Sequence, residues 1–173
     1  MKHSPFQKFL FMHAQLFTSP PRLTGIDSDP NWIGKARDGS GRDYFRFSFA
    51  DIGKLQQWGV PADTTLQKIP FNYQSSTLNN ELEAFDFYLV DGRYRVACAC
   101  ASFLHAMGRG GDMSLVRVAV HDWKDRQYYW TLLDVAEIEH KSKSGRLAVL
   151  RLKPNATEFD IFNIWEKHIW DQR

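Results

Sequence analysis

Cysteine is scarce: the sequence holds only Cys98 and Cys100, one residue apart. Two thiols are too few for the disulfide framework that staples small secreted domains, so a reducing, cytoplasmic setting is expected. Long hydrophobic runs are missing too. No stretch reaches the ~18–20 apolar residues of a membrane span, and no membrane partner is expected. The apolar N-terminus around Phe6, Phe9, Leu10 and Phe11 is interrupted by Gln7, Lys8 and His13. No small-residue cleavage site follows, so it does not read as a signal peptide. Charge of one sign is absent as well: 22 Lys and Arg face 20 Asp and Glu, for a net +2. Total charge alone therefore does not announce a nucleic-acid protein. The sequence contains no G-x-x-x-x-G-K-S/T, G-x-G-x-x-G, H-E-x-x-H or G-x-S-x-G. That removes the standard phosphate loop, dinucleotide turn, zinc protease helix and nucleophile elbow. No cofactor and no metal are expected.

Aromatics are plentiful, with 13 Phe, 6 Tyr and 6 Trp. Each buries ~150–250 Å², enough for a sizeable core. The 173 residues fit one globular domain, 1–173, within the usual ~100–200. Phe6, Phe9, Leu10, His13 and Phe17 share one face of a helix over 5–17, with Ser4 as its cap. Pro20 and Pro21 end it. Residues 18–43 read as a long irregular loop rich in Pro and Gly, a length that marks function or mobility. Tyr44 to Phe49 alternates like a half-buried strand. A short helix over 50–58, a strand near Leu66–Phe71 and a polar loop come next.

Asp91-Gly92 is a hairpin signal, because both central positions of that turn favour φ > 0. Closing on it pairs Leu89 with Tyr94, Phe87 with Val96 and Phe85 with Cys98, all apolar and on one face. A second hairpin closing on Lys124-Asp125 pairs Val120 with Tyr129, Val118 with Thr131 and Val116 with Leu133. A third turn at 141–145 leads into a strand at 146–152, stopped by Pro154. A helix follows over 157–171, capped by Asn155 or Thr157 with Glu158 or Asp160 in the box position. Its apolar stripe is Ile161, Trp165, His168 and Ile169. The expected fold is α+β: an antiparallel meander of about five to seven strands, with an N-terminal and a C-terminal helix packed on it.

Four constellations carry chemistry. Cys98 and Cys100, with His105 or His121, have the residue types of a metal pair or an activated thiol, although buried cysteine is usually a small hydrophobe. The second hairpin's register sets Asp112 opposite Glu137, with Glu139 and Lys141 on the same face. Carboxylates in such a cluster hold a divalent cation, and a lysine orients the attacking water. The string Glu139-His140-Lys141 resembles the E-x-K element of restriction-endonuclease-like nucleases over three residues, without a preceding Pro-Asp. The resemblance implies a small metal-dependent nuclease, catalysed by Asp112, Glu137, Glu139 and Lys141.

The two remaining constellations are basic. Trp32, Lys35, Arg37, Arg42 and Arg46 combine cations with aromatics in and beside the long loop. Lys141, Lys143 and Arg146 lie in a stretch without an acid between Glu139 and Glu158. Lys and Arg interleaved with aromatics suit phosphate contact and base stacking. Trp58, Trp123 and Trp170 are further candidate anchors. The expected function is a non-catalytic binding module that acts through the aromatic-basic loop and the basic hairpin on a protein or nucleic-acid partner. A nucleic-acid-binding protein proper, a metal-dependent nuclease or thiol enzyme, and a small-ligand carrier are the alternatives.

Overall fold

After Asp91-Gly92 the chain does not return as a strand. Val96 to Ala101 is apolar at every position but carries three alanines, the best helix former. A short apolar run cannot be told from a buried helix by alternation, and length decides. Here the run continues to Met107. The computed structural model describes residues 23–27, 31, 45–57, 60–62 and 70–172. In it the run is a helix.

Met1–Phe49 and Ala50–Arg173 form two compact units. In the first, β1 (Leu23–Asp27) pairs in parallel with β2 (Phe45–Phe49), Leu23 opposite Phe45 and Asp27 opposite Phe49. β2 meets the expected strand, whereas β1 falls within the stretch expected to be irregular. The expected helix at 5–17 and Trp32, Lys35, Arg37, Arg42 and Trp58 lie outside the described residues.

The second unit contains α1 (Pro70–Asn79), β3 (Phe87–Val90), α2 (Arg95–Gly108), β4 (Arg117–His121), β5 (Ala136–Lys141), β6 (Leu147–Leu152) and α3 (Glu158–His168). Residues 51–56 form bends and a bridge from Leu55 to Pro61 rather than a helix, and Gln57 enters a 3-10 turn. Helix α1 begins where the strand near Leu66–Phe71 was expected. The sheet order is β3-β4-β6-β5. β3 and β4 are parallel; β4 and β5 each run antiparallel to β6. The fold is thus α+β, but a four-stranded mixed sheet replaces the expected meander of five to seven antiparallel strands. The cause is α2: parallel neighbours need a long crossover, and this helix supplies it.

The second expected hairpin is also absent. Val118 faces Leu150 and Val120 faces Ala148, rather than Thr131 and Tyr129. Asp122 adopts a left-handed conformation (φ 57°) and turns the chain out of the sheet. Two 3-10 segments follow, Trp123–Asp125 and Gln127–Asp134. They send Trp123, Tyr129 and Leu132 into the core. Trp123 is therefore packed inside, not at an interface. Val118, Ala119 and Val120 are fully buried, as expected of a strand covered on both faces. Helix α2 packs on β3, β4 and α3.

From the 141–145 turn onward, the turn, the strand and the capped helix lie where they are expected. The β5–β6 turn contains Gly145 at φ 72°, where a side chain would be strained. Thr157 caps α3 in a full capping box with Asp160. Ile161, Ile164 and Ile169 are buried there. Among the described residues no helix is long and apolar enough to cross a membrane.

Candidate functional site at the carboxyl end of the parallel strands

Register aligns one end of the sheet. Val90, Val120, Ala148 and Lys141 form a row across β3, β4, β6 and β5. One step further, Asp91 leaves β3 and His121 ends β4 opposite Leu147. Ligands of open α/β sheets bind outside the carboxyl ends of the parallel strands.

The loop Asp91-Gly92-Arg93-Tyr94 joins β3 to α2. Gly92 is required there: a Cβ would stand 2.0 Å from the Tyr73 hydroxyl oxygen. That same oxygen accepts the Arg93 N–H at 3.2 Å. Tyr94 is fully buried with φ 53°, which turns the chain into the helix.

Arg95 opens α2 and is buried. Its Nε donates to the Gly92 carbonyl (2.8 Å). Its Nη1 donates to the His121 carbonyl and to Asp122 Oδ2, both at 2.8 Å. Its Nη2 lies 3.7 Å from Asp91 Oδ1. One guanidinium thus ties the two strand ends together. His121 Nδ1 stands 3.0 Å from Asp91 Oδ1 and 3.1 Å from Asp122 Oδ1. That nitrogen is shielded from solvent. Asp91, His121 and Asp122 bring one ligand atom each within 4.8 Å of one another, so these three residues can hold a metal ion.

Burial pushes the Asp91 carboxyl above its usual range, against the pull of His121 and Arg95. Burial would raise Asp122 as well, but the Arg95 hydrogen bond and charge hold it below the carboxylate norm. Arg93 is depressed first by burial, then by the positive charges of Arg95 and Arg126. Arg126 donates to the Tyr128 hydroxyl (3.0 Å) and comes within 3.8 Å of Asp122.

The basic hairpin reaches the same end. The Trp123 N–H donates to the Arg146 carbonyl (2.9 Å), and the Lys124 side chain packs over Gly145. Lys124, Lys141, Lys143 and Arg146 are exposed around this junction. The predicted partner residues Lys141, Lys143 and Arg146 lie on and beside the turn between β5 and β6, toward this end of the sheet. Arg46 lies on β2 in the other unit.

The predicted carboxylate cluster is not assembled. Asp112 accepts from the Ser114 N–H (2.9 Å) and hydroxyl (2.6 Å). Glu137 pairs with Arg151, and Glu139 takes both nitrogens of a fork from Arg117. β5 pairs with β6 rather than β4, so Glu137 faces Arg151 and not Asp112. Asp112 precedes the amino end of β4, whereas Lys141 sits level with its carboxyl end.

Cys98 and Cys100 lie on α2, where the Cys98 thiol donates to the Arg93 carbonyl (3.4 Å). Burial pushes the Cys98 thiol up to about 12 and raises Cys100 as well. Both therefore stay protonated at neutral pH, which opposes thiol chemistry.

On the far side, Leu78, Leu104, His105, Arg109, Phe162 and Trp165 line a groove of about 340 Å³. Its imidazole and indole are already engaged, with Tyr88 and with Gln74. Phe71, Phe159, Phe162 and Trp170 are exposed there.

Little in the sequence marks Asp91, Arg95, His121 and Asp122 as a set. Asp91-Gly92 was a turn signal, and only the parallel pairing of β3 with β4 carries His121 and Asp122 to it.

No family model matches the chain. No curated protein matches it either. Among solved structures, it is similar to a methyltransferase-like protein from Silicibacter pomeroyi, with a TM-score of 0.63 and 19% sequence identity over 86% of this chain and 76% of that one. At that identity the likeness is one of fold.

Proposed function

We propose that the chain is a non-catalytic binding domain that takes a phosphate-bearing partner, a nucleic-acid strand, at the carboxyl end of β3 and β4. One observation carries this reading. Two basic sets far apart in sequence lie toward the carboxyl end of β4: Arg126 is close enough to depress Arg93, while Lys124 packs over Gly145 in the turn of Lys141, Lys143 and Arg146. Cations gathered at one end of a sheet suit a phosphate backbone, which is bound mainly by charge. Arg95 is spent on holding the strand ends; its role is positioning. Burial first, and then the charges of Arg95 and Arg126, depress Arg93, so an incoming anion favours its charged form. The aromatic-basic segment of Trp32, Lys35, Arg37, Arg42 and Arg46 is a second contact in the same reading.

Methyl transfer with a nucleotide-type donor fits the residues poorly. Such a donor needs glycines where the backbone meets it and a free acid for its ribose. Here the single glycine is taken up by Tyr73 and the acid Asp122 by Arg95.

The test is fluorescence anisotropy of a short labelled single strand with the full chain. The double variant Lys143→Ala, Arg146→Ala is expected to bind about tenfold more weakly and to lose ~0.7 of salt slope per phosphate contact removed. Unchanged binding in that variant, or none by the native chain at low salt, overturns the reading. Competition by pyrophosphate at equal concentration marks a small phosphate ligand instead of a strand.

A further inference from the structure

We infer that Asp91, His121 and Asp122 form a binding site for a divalent cation of the Mn²⁺ class. The cation would lie beside the phosphate-binding rim proposed above; the inference deepens that reading, but the site itself rests on the geometry of these three side chains.

Asp91 Oδ1, His121 Nδ1 and Asp122 Oδ1 come from the ends of two neighbouring parallel strands and point to a common position. Adjacent corners of an octahedron with bonds of ~2.1 Å are ~3.0 Å apart. The imidazole nitrogen is 3.0 Å and 3.1 Å from the two carboxylate oxygens. Those separations also suit hydrogen bonds, and His121 draws on the Asp91 carboxylate in that way. Nδ1 is closed off from solvent. Two carboxylates and an imidazole whose ligand atoms all lie within 4.8 Å of one another have the arrangement of metal ligands.

The ligand types narrow the ion. Carboxylate oxygens suit Mg²⁺ and Mn²⁺, while an imidazole nitrogen favours transition metals. One nitrogen beside two oxygens favours Mn²⁺ over Mg²⁺. The remaining positions would go to water or to phosphate oxygens. Arg95 supports this set from behind: by holding Asp122 Oδ2 at 2.8 Å it leaves Oδ1 turned toward His121. Its positive charge also weakens the site, so micromolar rather than nanomolar affinity is expected. Phosphate-bearing ligands commonly reach proteins through such an ion, which gives the nearby cations and the carboxylates a shared ligand.

The experiment uses Mn²⁺ alone with the full, metal-stripped chain and no phosphate ligand, following loss of the free-ion electron paramagnetic resonance signal. One Mn²⁺ per chain at micromolar concentration is expected. Asp91→Asn and His121→Asn should each weaken binding by about 10- to 100-fold. Both side chains are part-exposed, and circular dichroism checks each fold; if one variant fails to fold, the other decides. No bound Mn²⁺ at millimolar concentration overturns the site, as does unchanged affinity in the folded variants. Mn²⁺ binding without oligonucleotide binding leaves this site standing and removes only the phosphate reading; the reverse result removes only the metal.

Discussion

At Gly92 the backbone runs against the hydroxyl of Tyr73, a residue only 5% exposed whose ring packs on Tyr94 at 5.8 Å. Neither ring has room to retreat. Gly92→Ala is therefore expected to cost about 1–3 kcal/mol through overpacking, read as a lowered midpoint in urea unfolding. The same residue shows how a local signal misleads. Asp-Gly does turn the chain, but its glycine serves close packing, and the residues beyond it decide between strand and helix. His105 offers a pH test. Burial chiefly depresses its pKa, while Nδ1 meets the Tyr88 hydroxyl at 2.7 Å and Nε2 lies 3.3 Å from the Glu81 carbonyl. The unfolded chain thus takes up the proton first. This contribution to stability is complete above the unfolded pKa of about 6.5 and is lost as pH falls below it toward the depressed folded value. The melting temperature should drop between about pH 7 and pH 5, and His105→Gln should flatten that drop. An equally steep drop in the variant would assign the effect to other groups.

Among the elements, α3 is the one most fully specified by its own residues. Thr157 accepts the Asp160 N–H, and the Asp160 carboxylate takes the Thr157 N–H at 2.9 Å. Thr157→Ala should cost about 1 kcal/mol, within the ~0.5–2 of cap losses, in the same urea titration. That cap, the turn before β6 and the alternation of β6 were legible because each depends on neighbours in sequence. The element between Asp91 and Arg109 was not. Its pairing register looked consistent as a hairpin because an all-apolar run satisfies any period. What settled it is tertiary: α2 buries Ala97, Ala99, Cys100 and Phe103 completely, which a two-stranded ribbon with one wet face does not do. Likewise, β4 prefers β6 because Asp122 turns the chain away and Trp123 and Tyr129 are worth more in the core than on a sheet face.

For the second unit as a whole, function follows from which strand ends meet. The basic character of the 141–146 stretch was legible from its composition. Its packing against Trp123 and Lys124 at the end of β4 was not, since that depends on β4 pairing with β6 and on the tie between Trp123 and Arg146. The supposed Asp112–Glu137 pair depended on a hairpin that does not form; Asp112 accepts from Ser114 instead, and Glu137 pairs with Arg151 across β5 and β6. The remaining cations around β4 define the central claim of a phosphate-binding rim. It is tested most directly by the salt dependence of oligonucleotide binding to the native chain. Each single-strand phosphate neutralised adds ~−0.7 to the slope of log affinity against log salt, so three contacts predict a slope of about −2. A slope near zero, or no binding at low salt, would contradict it.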